Sequence, residues 1–277
     1  QHRLTRGGLK SVPALRDIAP LIAMPNFSEF NHSLISMSKS GKMPINERTK
    51  KESIKYLKIV FKGFLALVLI IAFIFLLAGR LTYWQGWVFS IVMVLLVVIQ
   101  LLVFADKTDL VKERFKPGPG TKWWDKVFWA LYAPLFFAIV IVACLDAGRF
   151  LWSPQLPLPV YVISYVAFVF SIYLYSWSMW VNKWFSSTVR IQMDRAQEVV
   201  QDGPYRIVRH PGYVGGILMA ISTSLVLGSL WALIPAGIVV ILLIIRTYLE
   251  DITLQKELLG YADYTRKVRY RLVPGLW

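Results

Sequence analysis

Two separated groups of residues in the second half of the chain could carry chemistry. The first is the segment YRIVRHPGYVGG, residues 205–216, in which Arg209 and His210 precede a proline. The second is Arg246 with Glu250, four residues later at the end of an apolar segment. Cations beside a helix N-terminus bind anions, whereas a carboxylate binds cationic or hydroxyl groups. These residue types predict a binding site for a small ligand that carries both kinds of charge.

The first group lies where a helix is predicted to begin. Residues 202–204, Asp-Gly-Pro, break the chain just before it. Pro211 suits the first helical position because its missing N–H would have no partner there, which makes His210 the N-cap. The unpaired N–H groups of the first helical turn carry a partial positive charge. Together with Arg209 and His210, this helix start favours an anionic group.

The glycines of the same segment have two explanations, which the sequence leaves open. Gly212, Gly215 and Gly216 are poor helix formers, so a ligand that approaches the backbone closely could require them. Gly212, Gly216 and Ala220 also recur every four residues, a pattern that lets two membrane helices pack closely. All three glycines could therefore serve helix packing alone.

The second group is predicted to form an ion pair on one helix face. Arg246 lies within an apolar block, where an ionisable residue needs a partner and commonly marks a functional site. Glu250 lies about 40° from Arg246 around the helix axis, whereas Asp251 lies about 140° away. We expect Arg246 to pair with Glu250. A purely structural pair is the alternative, since such spacing is common on helices.

Composition predicts that membrane helices hold these residues. The chain of 277 residues is 56% hydrophobic and has a mean hydropathy of +0.54, which exceeds the usual range of soluble domains. Apolar blocks of about 20 residues are long enough to cross the bilayer as helices. The predicted spans are Leu57–Ala78, Trp87–Ala105, Val127–Leu145, Pro159–Trp180, Pro211–Leu227 and Trp231–Leu249. The expected fold is an all-α, polytopic membrane bundle of about six transmembrane helices.

The charge distribution predicts how this bundle is oriented. The net charge is +15, and Lys and Arg are concentrated before the first span, in alternate loops and after the sixth span. Short loops rich in these residues stay cytoplasmic, so both termini are expected to be cytoplasmic. The pattern fits a membrane surface and argues against nucleic acid as a partner. Residues 228–230 then join the last two spans as a tight hairpin that brings His210 and Glu250 together at the cytoplasmic face.

The rest of the chain divides by composition. Residues 1–52 are polar and lack helical periodicity, which predicts disorder; residues 53–182 hold four spans, and residues 183–277 hold the candidate site, the hairpin and a basic tail. Residues 188–192 and 198–201 alternate apolar with polar positions and predict a short β-hairpin. The single cysteine, Cys144, excludes a disulfide framework and a cysteine-based metal site, and no metal is predicted.

S-adenosylmethionine fits the predicted ligand. The helix N-terminus and cations suit its carboxylate, and the faces of Tyr205, Tyr213 and Tyr248 suit its sulfonium. Glu250 suits its amino group or ribose hydroxyls. A site at the cytoplasmic membrane boundary would also admit a lipid or lipophilic acceptor from the side.

At these residues the sequence resembles a family of integral-membrane methyltransferases. The family includes isoprenylcysteine carboxyl methyltransferase and the phospholipid N-methyltransferases. GPYRIVRHPGYVGG is similar to its Gly-Pro-Tyr-Arg…Arg-His-Pro-x-Tyr signature, and Arg246 with Glu250 and Asp251 resembles its Arg…Glu-Glu pair. Asp251 stands where the family usually has a second glutamate. The resemblance covers roughly the last hundred residues.

The resemblance implies S-adenosylmethionine-dependent transfer of a methyl group to a lipophilic or membrane-associated acceptor. It implies a cytosolic cofactor pocket, made by the last helical hairpin and the segment before it, in which His210, Tyr213 and Glu250 contact the cofactor. The candidate catalytic residues are Arg246 and Glu250. The candidate cofactor-binding residues are Tyr205, Arg209, His210, Pro211, Tyr213, Gly215 and Glu250. The alternatives are an NADPH-dependent membrane reductase of the sterol-reductase type and a non-enzymatic membrane protein.

Overall fold

A computed structural model describes residues 47–103, 120–192 and 196–277 of the chain. The disorder predicted for residues 1–52 therefore falls mostly outside the described residues. The first helix begins at Glu47, so residues 47–52 are helical where disorder was predicted. From Ala66 to Trp277 the chain forms one compact unit, and this unit contains the candidate site.

The described residues fold into seven α-helices. They are α1 (Glu47–Ala78), α2 (Trp84–Val103), α3 (Trp123–Ala143), α4 (Leu158–Val181), α5 (Pro211–Val226), α6 (Leu233–Glu257) and α7 (Tyr261–Lys267). Helix α3 continues as a π-helical segment, Cys144–Phe150, and a 3-10 turn, Gly203–Arg206, precedes α5. The part of the chain that the structure describes contains no strand, which confirms the predicted all-α class.

Three of the described helical segments are long and apolar enough to cross a membrane. They are Trp123–Phe150, Leu158–Val181 and Leu233–Glu257. Shorter apolar helices cover Gly63–Ala78, Trp84–Gln100 and Pro211–Val226. These six segments correspond in place to the six predicted spans, but the count of six spans stays a prediction.

Helix α5 packs closely against both α4 and α6 because its glycines leave room for them. A Cβ atom on Gly215 would lie 2.8 Å from the carbonyl oxygen of Ser171, in α4. A Cβ atom on Gly216 would lie 3.3 Å from the side chain of Leu243, in α6. At Gly215 and Gly216 the close neighbour is therefore another helix.

A buried network fixes the connection between α5 and α6 at the end opposite the candidate site. Asp146 is fully buried and accepts hydrogen bonds of 2.5 Å from the hydroxyls of Ser153 and Ser229. The Tyr83 hydroxyl donates a 2.5 Å hydrogen bond to the carbonyl of Leu227. These hydrogen bonds hold the turn between α5 and α6 at several points. They therefore fix how the two helices are aligned at their other ends, where the candidate site lies.

The loop between α4 and the 3-10 turn does not form the predicted β-hairpin in its described residues. The Gln197 N–H donates to the Gln192 carbonyl at 3.3 Å, but no ladder extends from this contact, and residues 193–195 lie outside the described part. Val189 instead forms its backbone hydrogen bonds with Lys122 and Asp125, next to and within the first turn of α3. These contacts use the groups that a second strand would need.

Gly215→Ala is expected to destabilise the protein by about 1–3 kcal/mol, because the new methyl group would meet the backbone of α4, which cannot rotate away. Gly237→Ala is the matched control, since nothing lies within 4 Å of its Cβ position in the second turn of α6. The control should be neutral or slightly stabilising. Thermal unfolding of both variants in detergent measures the difference. Equal melting temperatures would mean that α4 and α5 are not in this close contact.

Candidate active site

Most of the residues predicted for the site line one cavity. It is lined by the first half of α3, loop residues between 184 and 192 and from 197 to 200, the first turns of α5, the end of α6, and α7. Its lining includes six of the predicted residues, namely Tyr205, Arg209, His210, Tyr213, Arg246 and Glu250. The lining does not include Pro211 or Gly215. Pro211 occupies the first position of α5 and His210 is its N-cap, as expected.

Asp251 is the centre of a buried polar network beside this cavity. Its carboxylate is fully buried and receives Arg209 through two hydrogen bonds, of 2.8 and 2.9 Å. Arg271 Nε donates to the same carboxylate at 2.8 Å, and His210 Nε2 lies 3.3 Å from it. The shorter acid at this position is thus a structural anchor, although the helical period alone placed Asp251 away from the site.

Arg209 also holds the C-terminal tail of the chain. Its Nη1 donates at 2.8 Å to the carbonyls of both Val268 and Arg269. The backbone N–H groups of Arg209 and His210 donate at 3.0 Å to the carbonyls of Tyr270 and Arg271. All three nitrogens of the Arg209 guanidinium therefore donate to protein groups, and its role as a cofactor ligand stays a prediction.

Two tyrosines of α7 complete the network. The Tyr261 hydroxyl donates to Asp251 at 3.0 Å, and the Tyr264 hydroxyl donates to the carbonyl of Tyr205 at 2.6 Å. Burial, and then the negative charge of Asp251, raise the pKa of the Tyr261 phenol well above its usual range. Tyr261 therefore stays protonated and acts as a donor, which keeps α7 bound to α6.

The predicted ion pair between Arg246 and Glu250 is wrong. Arg246 Nη2 lies 2.9 Å from Oδ1 of Asp125, a fully buried residue in the first turn of α3. The same nitrogen donates to the Ser187 carbonyl at 2.6 Å. The guanidinium carbon also lies 4.3 Å from the centre of the Phe128 ring. The partner of Arg246 is therefore an acid from another helix and not the neighbouring acid on α6.

Glu250 is paired with a tyrosine instead of a cation. The Tyr213 hydroxyl donates to Oε2 of Glu250, and the Tyr213 ring stacks nearly parallel to His210, with ring centres 5.7 Å apart. Both Tyr213 and Glu250 line the cavity. The carboxylate of Glu250 is thus held in place by a hydroxyl donor within the cavity wall.

Several residues of the cavity were not predicted from the sequence. Phe128 and Trp129 come from α3, Asp125 lies behind them as the partner of Arg246, and residues between 184 and 192 and from 197 to 200 form another part of the wall. The signal that could have identified Asp125 is an acidic residue within an apolar helix. The third span was predicted to begin at Val127, whereas α3 begins at Trp123, so Asp125 fell outside the predicted helix.

The comparisons with known proteins give one family match. Residues 159–258 match the phospholipid methyltransferase family. The matched segment runs from α4 to the residue after α6 and contains His210, Tyr213 and Glu250. This match, over residues 159–258, confirms the resemblance predicted from the two motifs. No curated protein matches the chain.

Asp251→Asn is expected to destabilise the protein by about 3–5 kcal/mol, because it leaves the buried Arg209 and the half-buried Arg271 without a counter-charge. Asp263→Asn, which removes an exposed acid 3.5 Å from Arg266, is the matched control and should unfold like the parent. Chemical or thermal unfolding in detergent measures both. An unfolding midpoint of the Asp251 variant equal to that of the control would rule out the proposed anchor.

Proposed function

We propose that the protein is an S-adenosylmethionine-dependent membrane methyltransferase that acts on a lipid or lipophilic acceptor. The observation that carries the proposal is that the family-matched segment supplies a carboxylate, Glu250, to a cavity with aromatic walls. Tyr213 and His210, from the Arg-His-Pro motif, lie beside that carboxylate. The motif residues therefore meet at the position where a cofactor would be held.

The side chains of the cavity fit S-adenosylmethionine. Oε2 of Glu250 receives the Tyr213 hydroxyl, and the carboxylate has further lone pairs for an amino group or ribose hydroxyls. The rings of Tyr175, Phe185 and Tyr213 line the cavity and suit a sulfonium. Nε of Arg246 is buried and has no hydrogen-bond partner among the described residues, so an acceptor atom of a bound ligand would satisfy it.

The contribution of the protein to the reaction is positioning and exclusion of water. Bound S-adenosylmethionine supplies an activated methyl group. Glu250 and Tyr213 would hold the cofactor in one orientation, and orientation of two reactants can contribute about 7–11 kcal/mol. The aromatic walls would keep competing water out. A carboxylate acceptor needs no base, whereas a thiol or ammonium acceptor would lose its proton to Glu250 or to a nearby tyrosine.

A lipophilic acceptor agrees with the depth of the cavity. Its lining extends from the polar loop residues Gln192 and Gln197 to Tyr132, Met219 and Leu243 within the helices. A cofactor would occupy the polar part and an acceptor chain the apolar part. We further propose that the cavity and both termini face the cytoplasm. The basis is that Lys and Arg are concentrated in alternate loops and in the tail, and short segments rich in these residues stay on the cytoplasmic side.

Glu250→Gln should weaken S-adenosylmethionine binding about ten- to a hundredfold, because a hydrogen bond to a charged group is worth about 1.5–3 kcal/mol. Stability should change little, since the amide oxygen can still accept from Tyr213. Glu257→Gln, on the same helix but outside the cavity lining, is the control and should bind like the parent. Calorimetry of the purified proteins gives both affinities.

The same titration separates the proposal from the alternatives. The parent protein is titrated with S-adenosylmethionine, S-adenosylhomocysteine and NADPH in turn. We expect binding of the first two. Binding of NADPH alone would indicate the reductase, and a Glu250 variant that unfolds early but binds at parental affinity would make Glu250 structural.

Cysteine labelling tests the proposed orientation. Leu230 is 42% exposed in the turn between α5 and α6, while the single native cysteine, Cys144, is buried. In sealed vesicles, a membrane-impermeant maleimide should label Leu230→Cys from the side opposite the termini and leave the parent protein unlabelled. Labelling from the cytoplasmic side would invert the proposed topology.

A further inference from the structure

We infer that Asp125, in the first turn of α3, is a positioning residue of the cofactor cavity and acts through Arg246. The inference rests on the proposed function, because it concerns how well the same cavity binds S-adenosylmethionine. Asp125 lies outside both sequence motifs and outside the family-matched segment, residues 159–258. The role is therefore assigned from the geometry alone.

Asp125 joins three parts of the structure at one buried point. Its carboxylate is fully buried, and Oδ2 accepts the backbone N–H of Val189 at 2.9 Å. Oδ1 lies 2.9 Å from Nη2 of Arg246. The first turn of α3, the loop that lines the cavity and the end of α6 thus share a single charged group.

These contacts fix the orientation of the Arg246 guanidinium. The side chain is only 4% exposed, and its Nη2 is held by both Asp125 and the Ser187 carbonyl. The Phe128 ring, 4.3 Å from the guanidinium carbon, limits movement out of the plane. Without Asp125, the buried Arg246 cation would lack its counter-charge, and Glu250, about one turn further along α6 and in the same cavity wall, is an acid that could replace it.

The effect of Arg246 reaches the proposed cofactor ligand through Tyr213. The guanidinium carbon lies 5.3 Å from the centre of the Tyr213 ring, and the Tyr213 hydroxyl donates to Glu250. A displaced Arg246 would move this ring or attract the Glu250 carboxylate directly. Asp125 therefore keeps Glu250 free for the ligand by giving Arg246 a different counter-charge.

A merely structural role, in which Asp125 ties α3 to α6, makes a different prediction. A second ion pair ties the same parts of the protein, since Lys122 Nζ lies 2.7 Å from Oε1 of Glu257. Lys122 precedes α3 and Glu257 ends α6, and neither residue lines the cavity. Lys122→Gln therefore breaks a tie between these elements without touching Arg246, which makes it the matched control.

The test is a double-mutant cycle on ligand affinity. The dissociation constants of S-adenosylmethionine and S-adenosylhomocysteine are measured by calorimetry for the parent, Asp125→Asn, Arg246→Gln, the double variant and Lys122→Gln. We expect Asp125→Asn to weaken binding about five- to tenfold in the parent and to have no further effect in the Arg246→Gln background. Arg246→Gln alone should weaken binding, and Lys122→Gln should bind like the parent.

The outcomes separate this inference from the proposed function. The role of Asp125 is overturned if Asp125→Asn or Arg246→Gln binds with parental affinity. It is also overturned if the Asp125 change weakens binding equally in the parent and in the Arg246→Gln background. In each case S-adenosylmethionine binding by the parent still stands. If Asp125→Asn fails to fold, the double variant is used instead, because it removes both buried charges together. Its affinity is compared with that of Arg246→Gln, and weaker binding by the double variant overturns the inference. A parent that binds neither ligand contradicts the proposed function itself.

Discussion

The buried carboxylate of Asp251 is the interaction on which the candidate site depends. It lies on α6 and receives Arg209 from the segment before α5, Arg271 from the tail and Tyr261 from α7. A buried charge is tolerated only when it is paired and hydrogen-bonded, so these groups must be present together for any of them to be buried at low cost. The position of His210 beside Tyr213 and Glu250 follows from this arrangement, because the backbone of His210 is bonded to the tail.

A second buried pair, between Asp125 and Arg246, distinguishes Glu250 from the two aspartates next to the cavity. Arg246 is neutralised from α3, and Asp251 is neutralised by two other arginines. Glu250 is left with a neutral tyrosine as its partner. The cavity therefore contains one carboxylate whose charge is not already balanced by a neighbouring cation at ion-pair distance within the described residues. This is the arrangement expected where a charged ligand, and not the protein, completes the pairing.

The sequence predicted the parts of this structure that local patterns determine. Apolar blocks gave the helices, and Pro211 placed the start of α5 and the cap at His210 correctly. The spacing of Arg246 and Glu250 also placed both residues in one cavity. It failed for the pairing itself, because a helical period reports which residues share a face but not which other helix supplies a partner. Asp125 lies more than a hundred residues before Arg246, and no local pattern links them. The packing role of Gly215 likewise depends on α4, which sequence spacing along α5 does not describe.

The C-terminal tail gives this architecture an order of assembly. Residues 268–271 accept hydrogen bonds from Arg209 and His210 and supply Arg271 to Asp251, and the carbonyl of Trp277 in turn accepts the N–H of Arg271 at 2.9 Å. Residues 268–271 follow α1 to α7 in the sequence, so they are synthesised after these described helices. These helices can therefore enter the membrane while the chain is still being translated, but the polar network beside the cavity is complete only when Arg271 reaches Asp251. During biosynthesis, the nascent protein would thus be inserted before it is competent to bind a small ligand.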